Sequence, residues 1–200
     1  MPNLDGIHEC YEVIEQVRPS DGQTYYSFAI NIGIHKLRQL IENFIENLEE
    51  PCFFLCEIPA SHKEEAELRK SAHDPFHRNA YYKDCCSRSE LLELFAVYGE
   101  WFIQDGMINF GFASLNSKDE LFIAKYKIAN IFTSDIKRYK SLLSRFQIPQ
   151  EEKIKTVWAN FTQKAPGECS SITIEGKSVH AIIKQLQNSG LYLAEQREEK

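Results

Sequence analysis

The sequence predicts an α+β fold in which helices pack against an antiparallel sheet built from hairpins. Two segments rich in Val, Ile, Tyr and Phe, residues 9–17 and 24–32, flank the turn-forming residues Pro19 to Gly22. Residues 100–130 have the pattern of a three-stranded meander. Elsewhere apolar residues recur at three- and four-residue spacing, which is typical of amphipathic helices.

The first half of the chain alternates helices and strands after the initial hairpin. Residues 35–48 place an apolar stripe on a helix, and residues 52–56 form a short apolar run typical of a buried strand. Ser61 and Glu64 predict a capping box that begins a short polar helix. Residues 73–84 contain mixed charges and Pro75 without a clear period, so a loop is expected there.

A second capping box begins the next helix. Ser87 and Glu90 predict a helix through Tyr98, which Gly99 would end. Residues 101–104 then read as the first strand of the meander.

Asp105-Gly106 supplies a type I′ turn into the second strand, residues 107–115. In the third strand we expect one face to pack against the core; its members are Phe122, Ala124, Tyr126 and Ile128.

The last part of the chain predicts two helices and two strands, with a short helix between them. Ser134 or Thr133 is expected to cap a helix over residues 135–146. Pro149 begins a short helix through Phe161, with Trp158 in the core. The remaining elements are a strand at 170–174, a helix at 179–187 and a strand at 191–194. We expect a single domain over residues 1–200, with a possible subdivision near residues 72–86.

Charge is distributed unevenly along the chain. Residues 1–117 carry 9 basic against 19 acidic side chains, residues 118–155 carry 9 against 5, and residues 156–200 carry 5 against 5. The acidic first part argues against a dedicated nucleic-acid-binding protein, whose affinity depends on phosphate contacts. It favours a basic partner.

The sequence shows no sign of export. No apolar run approaches the roughly 18 to 20 residues that a membrane span requires. The segment from Met1 to Glu9 is polar and acidic. We therefore expect a cytoplasmic protein without a signal peptide or anchor. In a chain of this length the six cysteines predict reduced thiols instead of a disulfide framework.

We expect neither a metal nor a cofactor. Four residues separate Cys52 from Cys56, which is about 13 Å in a strand and too far for one shared zinc ion. A set formed by His73, His77, Cys85 and Cys86 does not have the short paired spacing of structural zinc sites.

Cys86 has two interpretations. It precedes a helix, so the helix N-terminus could activate its thiol as a nucleophile. As the residue before the cap it could instead pack against Leu91 in a hydrophobic staple.

If the protein is an enzyme, the segment from residue 73 to residue 78 is the best place for its chemistry. The candidate catalytic residues are His73, Asp74, His77, Arg78 and Cys86. The sequence has none of the short motifs of nucleotide-binding loops, dinucleotide-binding folds, α/β-hydrolases or zinc proteases.

The favoured hypothesis is a non-enzymatic binding protein of the immunity or antitoxin type, which neutralises a basic protein such as a toxin domain. Its expected partner-binding residues are Glu42, Glu46, Glu49, Glu50, Tyr81 and Tyr82. A third hypothesis is nucleic-acid binding by the basic stretch 125–145. Its expected contacts are Lys125, Lys127, Lys137, Arg138 and Lys140.

Overall fold

A computed structural model describes residues 6–19, 22–164 and 166–199. Residues 1–5 of the polar N-terminus, and Ser20 and Asp21 of the predicted turn, lie outside these ranges. None of the helices that the described residues form combines the length and the hydrophobicity needed to cross a bilayer.

The described residues form ten strands and five α-helices. The strands are β1 (Cys10–Val17), β2 (Thr24–Asn31), β3 (Cys52–Pro59), β4 (His77–Cys86), β5 (Asn109–Ser114), β6 (Glu120–Ile123), β7 (Ala129–Thr133), β8 (Thr173–Ile174), β9 (Lys177–Ser178) and β10 (Tyr192–Glu198). The helices are α1 (Ile34–Glu46), α2 (His62–Leu68), α3 (Arg88–Gln104), α4 (Ile136–Arg145) and α5 (Val179–Gln187).

Eight strands form one antiparallel sheet in the order β1-β2-β7-β6-β5-β3-β4-β10. The two short strands β8 and β9 pair separately as a ribbon. The α+β class with an antiparallel sheet is therefore confirmed, as are the first hairpin, α1, α5 and both capping boxes.

The two faces of the large sheet have different neighbours. The side that we call the covered face carries large apolar side chains: Phe28, Ile30, Phe54, Cys56, Phe110, Phe112, Leu121 and Ile123. α1, α3, α4 and α5 place their buried residues in the same core cluster. Phe102 of α3, for example, lies 5.3 Å from the ring of Phe54 and 5.4 Å from that of Phe110.

The opposite side is called the open face below. Successive residues of a strand point to opposite faces, so Phe53, Leu55, Gly111, Ala113, Glu120 and Phe122 belong to it. Two recesses on this face are lined almost entirely by strand residues, with Trp158 and residues beside the strands as the exceptions.

The loop predicted over residues 73–84 is wrong, because residues 77–86 form β4. This strand pairs with β3 on one side and β10 on the other. Its mixed side chains hid the strand pattern, since Arg78 and Asn79 are polar and yet buried between neighbouring elements. Only the part from His73 to Phe76 is irregular.

The prediction that Gly99 ends a helix is also wrong. α3 continues to Gln104 and absorbs the strand expected at residues 101–104. Gly99 is buried inside the helix, where an added Cβ would lie 2.9 Å from ring carbons of Phe95. The apolar run that resembled a strand is helical because Phe102 packs between aromatic rings of the sheet.

The predicted three-stranded meander is only partly correct. Its first strand and the Asp105-Gly106 hairpin turn do not form, because residues 101–104 belong to α3. Its second and third strands correspond to β5 and β6, and β7 completes a meander that lies further along the chain. A 3-10 turn at Lys125–Lys127 separates β6 from β7, and Tyr126 and Lys127 have φ angles of 60° and 59°. Leu121 and Ile123 are the buried residues of β6, whereas Phe122 is half-buried on the open face.

Near the C-terminus three details differ. Asp135 caps α4 by accepting a hydrogen bond from the backbone N–H of Arg138 at 3.1 Å. The prediction that Ser134 or Thr133 is the cap is therefore wrong. The helix expected at residues 149–161 is reduced to a 3-10 turn at Val157–Asn160. Trp158 is exposed at 51% and does not join the core.

Candidate binding face

The carboxylates at the end of α1 are largely surrounded by arginines. Arg88 donates to the carbonyl of Glu46 at 3.2 Å and pairs with Glu50, whose carboxylate also accepts from the Arg88 backbone N–H at 2.8 Å. These contacts explain how acidic residues are tolerated beside the negative end of a helix.

Other arginines share this neighbourhood. Glu42 pairs with Arg38 at 3.8 Å, and Arg138 donates to the carbonyl of Asn47. Glu46 and Glu49 are exposed. Glu50 is exposed too, although Arg88 pairs with it, so the acidic end of α1 is a mixed surface with three exposed acidic residues.

The two tyrosines predicted to bind a partner lie on opposite faces of β4. Tyr81 is buried on the covered face, and Tyr82 is half-buried on the open face. The ring of Tyr82 lies 6.0 Å from that of Phe53. The structure therefore separates Tyr82 from the end of α1 and groups it with other aromatic residues.

The five candidate catalytic residues are not brought together. His73 is exposed, and Asp74 accepts hydrogen bonds from the backbone of Lys70 and Ser71. Cys86 lies at the far end of β4 from His77, which is about 30 Å along a strand of this length.

Cys86 itself is buried in the core cluster together with Leu91, as the staple interpretation requires. Burial raises the pKa of its thiol, which opposes a role as a nucleophile. Cys52 and Cys56 are buried too, and burial raises the pKa of Cys52 to about 11.

His77 lines a groove of about 780 Å³ between α2, β4 and α5. Glu65 fixes the position of His77. Its carboxylate accepts a hydrogen bond from the His77 backbone N–H at 2.6 Å and pairs with His77 Nδ1 at 3.2 Å. Asn79 donates to Glu64 at 2.9 Å in the same groove. His77 is thus the one candidate of the five that lines the groove.

Arg78 points to the other face of the same strand. Its guanidinium donates to the carbonyls of Glu57 at 2.9 Å and Met107 at 2.6 Å, and it pairs with Glu199 at 3.4 Å. These contacts tie β3, β10 and the start of β5 together, which is a structural role.

The basic stretch does not form one face. Lys125 pairs with Glu199, and Arg138 pairs with Asp119 at 3.0 Å. Of the set, Lys137 is exposed and Lys140 is half-buried on α4.

Lys127 is directed into the interior. Its ammonium donates to three backbone carbonyls, those of Phe102 at 2.9 Å, Asp105 at 2.7 Å and Ile108 at 3.2 Å. Burial lowers the pKa of Lys127 to about 8. This side chain joins the end of α3 to the start of the meander and is not available to a nucleic acid in this conformation.

The open face contains a hollow of about 280 Å³ over β1, β2, β7 and β6. Its side chains include Glu12, Ser27 and Ala29 on one side and Glu120, Phe122 and Phe132 on the other. Two of its lining residues, Ser27 and Ala29, have small side chains, which leaves room for the hollow. Glu12 is engaged, because its carboxylate accepts from the backbone N–H of Ile154 at 2.8 Å.

Glu120 is the unusual residue of this hollow. It is half-buried, and burial raises the pKa of its carboxyl group. Among the residues that the structure describes, none forms a hydrogen bond or an ion pair with its side chain. The other carboxylates of the open face, Glu12, Glu57, Glu195 and Glu199, each have at least one such contact.

Aromatic rings extend from this hollow across the sheet. Phe132 stacks on Tyr25 with ring centroids 5.0 Å apart. An added Cβ on Gly111 would lie 3.2 Å from a ring carbon of Phe122, so this ring lies across β5. Phe53 and Tyr82 continue the row toward β10. We call these residues, Tyr25, Phe132, Phe122, Phe53 and Tyr82, the aromatic strip.

Beyond the strip lies a second recess of about 850 Å³, lined by residues of β3, β4 and β10 and by Trp158. Several of its charges are paired: Glu57 contacts Arg197 and accepts from the side-chain amide of Asn109 at 3.1 Å. The hollow differs because, among the described residues, neither of its carboxylates pairs with a cation, and Glu120 has no hydrogen bond either.

Neither Glu120 nor Phe122 was predicted from the sequence to lie on a binding face, and Phe122 was assigned to the core side of its strand. The signal that could have found them was the order Glu-Leu-Phe-Ile in β6, which places Glu120 and Phe122 on one side and Leu121 and Ile123 on the other. The wrong side was assigned to the core because the strand was extended to Ile128, through the 3-10 turn.

Comparisons with known proteins add no relative: no family model, no curated protein sequence and no solved structure matches this chain.

Proposed function

We propose that the protein is a non-enzymatic binding protein that holds a basic protein partner on the open face of its sheet. An arginine or lysine of the partner enters the hollow and pairs with Glu120. The concrete form of this hypothesis is a cytoplasmic immunity or antitoxin protein that blocks a basic toxin domain. The observation that carries it is the half-buried Glu120 carboxylate without a cationic partner among the described residues.

An unpaired carboxylate in a desolvated position costs stability. Burial of a charge is unfavourable unless a counter-ion or hydrogen bonds compensate for it. A partner's cation supplies that compensation on binding. Burial raises the pKa of Tyr82, and the Glu120 carboxylate raises it further, so the negative charge of Glu120 acts on at least this residue of the aromatic strip.

The aromatic strip suits a protein interface. Large aromatic rings often dominate binding energy because they bury much area at little entropic cost. Four rings of the strip, those of Phe53, Tyr82, Phe122 and Phe132, are half-buried, whereas Tyr25 is buried. Phe122 and Phe132 border the same hollow as Glu120. A guanidinium that enters it would meet a carboxylate and two ring faces, the combination that favours arginine.

The floor of this surface is made of small residues. Gly111 has no room for a side chain, since an added Cβ would approach the carbonyl oxygen of Leu121 to 2.6 Å. Ala113 lies opposite Glu120 in the register of β5 and β6. The strip is therefore a shallow surface with rings at its margins, open to a protruding side chain.

The decisive experiment compares two charge reversals. The wild-type chain, Glu120→Lys and Glu49→Lys would each be immobilised and exposed to a lysate of the native host. A basic protein retained by the wild type would then be purified and titrated calorimetrically. We expect Glu120→Lys to weaken binding by about 100-fold or more, since it leaves two like charges in a desolvated contact. Glu49→Lys should retain the partner.

Three results would contradict the proposal. The first is that no basic protein is retained. The second is equal retention by wild type and Glu120→Lys. The third is loss of binding only with Glu49→Lys, which would move the interface to the exposed carboxylates at the end of α1. The proposal also requires affinity to fall with rising salt.

The two other hypotheses have weaker support. An enzyme would have to rely on His77 and Glu65 alone, because the remaining candidates lie elsewhere. Nucleic-acid binding would have to rely on the exposed lysine of α4, because Lys127 is buried among carbonyls and Lys125 is paired.

A further inference from the structure

A cluster of three metal-ligand side chains lies away from the open-face site, where β1 begins. His8 and Cys10 are two residues apart and point the same way, while Glu9 between them points toward Gly33 and Lys36. Glu151 is 143 residues further along the chain. Its carboxylate lies 2.6 Å from His8 Nε2. The ligand atoms of His8, Cys10 and Glu151 all lie within 4.8 Å of one another.

We propose that His8, Cys10 and Glu151 bind a zinc ion that fastens the start of β1 to the segment around Glu151. The imidazole, thiolate and carboxylate groups are those that zinc uses in proteins. The sulfur and nitrogen ligands favour zinc over magnesium or calcium, which take oxygen ligands. The expectation of no metal rested on the spacing of Cys52, Cys56, His73, His77, Cys85 and Cys86. It did not include His8 and Glu151, which are 143 residues apart in the sequence.

The backbone around the cluster is fixed independently of the metal. Tyr11 donates its N–H to the carbonyl of Pro149 at 2.9 Å and accepts from the N–H of Glu151 at 2.8 Å. On the other side, Glu9 accepts from the backbone N–H of Gly33 at 2.9 Å. Both halves of the ligand set are therefore held in place by the fold.

The required adjustment is small. Around a tetrahedral zinc ion the ligand atoms are about 3.3 to 3.6 Å apart, given bonds of about 2.0 to 2.3 Å. The 2.6 Å contact between His8 and Glu151 has to open by less than about 1 Å. The distances from the sulfur of Cys10 to the other two ligand atoms have to shorten by at most about 1.5 Å, because all three atoms lie within 4.8 Å of one another. Rotation of the exposed His8 side chain and the half-buried Glu151 side chain can supply both changes.

A neighbouring group is oriented to support the sulfur. The side-chain amide of Asn31 is directed at Cys10 Sγ at 3.9 Å and also donates to the carbonyl of Lys155 at 2.9 Å. Asn31 is buried at 8% exposure. Groups that hydrogen-bond to a ligand fix its orientation and tune its affinity for the metal. Since His8 is exposed, a fourth coordination position faces solvent and would take water.

The test uses the full chain, stripped of metal with a chelator and kept reduced by a non-chelating phosphine. Zinc affinity is measured by competition with a chromophoric chelator, and cobalt(II) reports the ligands by its absorption. We expect one equivalent of cobalt with a thiolate-to-metal charge-transfer band in the near ultraviolet. Zinc should raise the melting temperature, because it binds only the folded ligand set.

Variants assign the ligands. Cys10→Ser should abolish the charge-transfer band, and Glu151→Gln and His8→Gln should each weaken zinc binding at least 10-fold. The matched controls are Cys85→Ser and His73→Gln, which replace an exposed cysteine and an exposed histidine elsewhere. Both controls should bind zinc as the wild type does.

The proposal is overturned if no saturable cobalt spectrum forms, or if the band survives in Cys10→Ser and disappears in Cys85→Ser. Should Cys10→Ser fail to fold, as judged by circular dichroism, the weaker zinc binding expected for Glu151→Gln decides the question. These outcomes are independent of the partner on the open face, because Glu120 is not involved.

Discussion

The covered and open faces belong to the same strands but are built differently. The covered face carries Phe54, Phe110 and Phe112, which are fully buried against α3. The open face carries small residues at its centre, half-buried rings around them and the unpaired Glu120. The covered face is filled by close packing, whereas the open face retains a half-buried charge that costs stability.

The largest expected effect comes from truncating a ring on each face. Phe110→Ala should lower the free energy of unfolding by about 4 kcal/mol, because it leaves a cavity among fully buried rings. Phe122→Ala should cost less than about 1 kcal/mol, since its ring is partly exposed. Urea unfolding at neutral pH measures both values. Equal losses would mean that the open face also contributes to the core.

The charge of Lys127 is tolerated inside the protein because its hydrogen bonds are satisfied. Lys127→Met removes the donor to three carbonyls and should lower the free energy of unfolding by about 2 kcal/mol at pH 7. The exposed Lys137→Met is the matched control and should change little.

The pKa of Lys127 gives this prediction a pH dependence. Because burial lowers its pKa to about 8, the unfolded chain binds more protons than the folded protein from about pH 8 up to the ordinary lysine pKa near 10.4. The free energy of unfolding of the wild type should therefore increase relative to that of Lys127→Met as the pH rises from about 8 to about 10.4. A constant difference between the two proteins would argue that the ammonium is not desolvated.

The smallest predicted effect has the opposite sign. Glu120→Gln should stabilise the protein without its partner by less than about 1 kcal/mol at pH 7, because it removes an unpaired charge that is only half-buried and partly screened by solvent. The raised pKa of Glu120 means that the folded state binds the proton more tightly. The stability that protonation gives is therefore present near pH 4 and is lost as pH rises through the folded pKa.

Melting temperatures at pH 4 and pH 7 check this difference. The increase in melting temperature caused by Glu120→Gln should vanish at pH 4, because wild-type Glu120 is then protonated and uncharged, like the glutamine of the variant. Glu49→Gln is the matched control, since Glu49 is exposed and should change stability by less than about 0.5 kcal/mol. A destabilised Glu120→Gln would mean that the carboxylate has a structural partner.

Local rules predicted those elements whose pattern is complete within a few residues. α1 followed from its apolar stripe, and the starts of α2 and α3 followed from Ser61 and Ser87, whose capping boxes both form. These signals depend on spacing alone, so they survive without knowledge of the fold.

The errors occurred where distant contacts decide the conformation. β4 looked like a loop because Arg78 is polar, yet its charge is neutralised by Glu199 from the far end of the chain. The end of α3 looked like a strand, but Phe102 is fixed by rings of the sheet. The candidate site was missed for a different reason: the alternation in Glu-Leu-Phe-Ile was present in the sequence, but the strand was extended through the 3-10 turn, which put Phe122 on the core side.

β10 is the last of the described strands along the chain, and it forms one edge of the sheet, beside β4. Arg78 and Glu199, which pair across this junction, are 121 residues apart. The backbone of β4 keeps one unpaired edge until β10 has been synthesised and paired with it. An open strand edge is a template for pairing with other chains, so in the folded protein this exposure passes from β4 to β10, whose residues are all exposed.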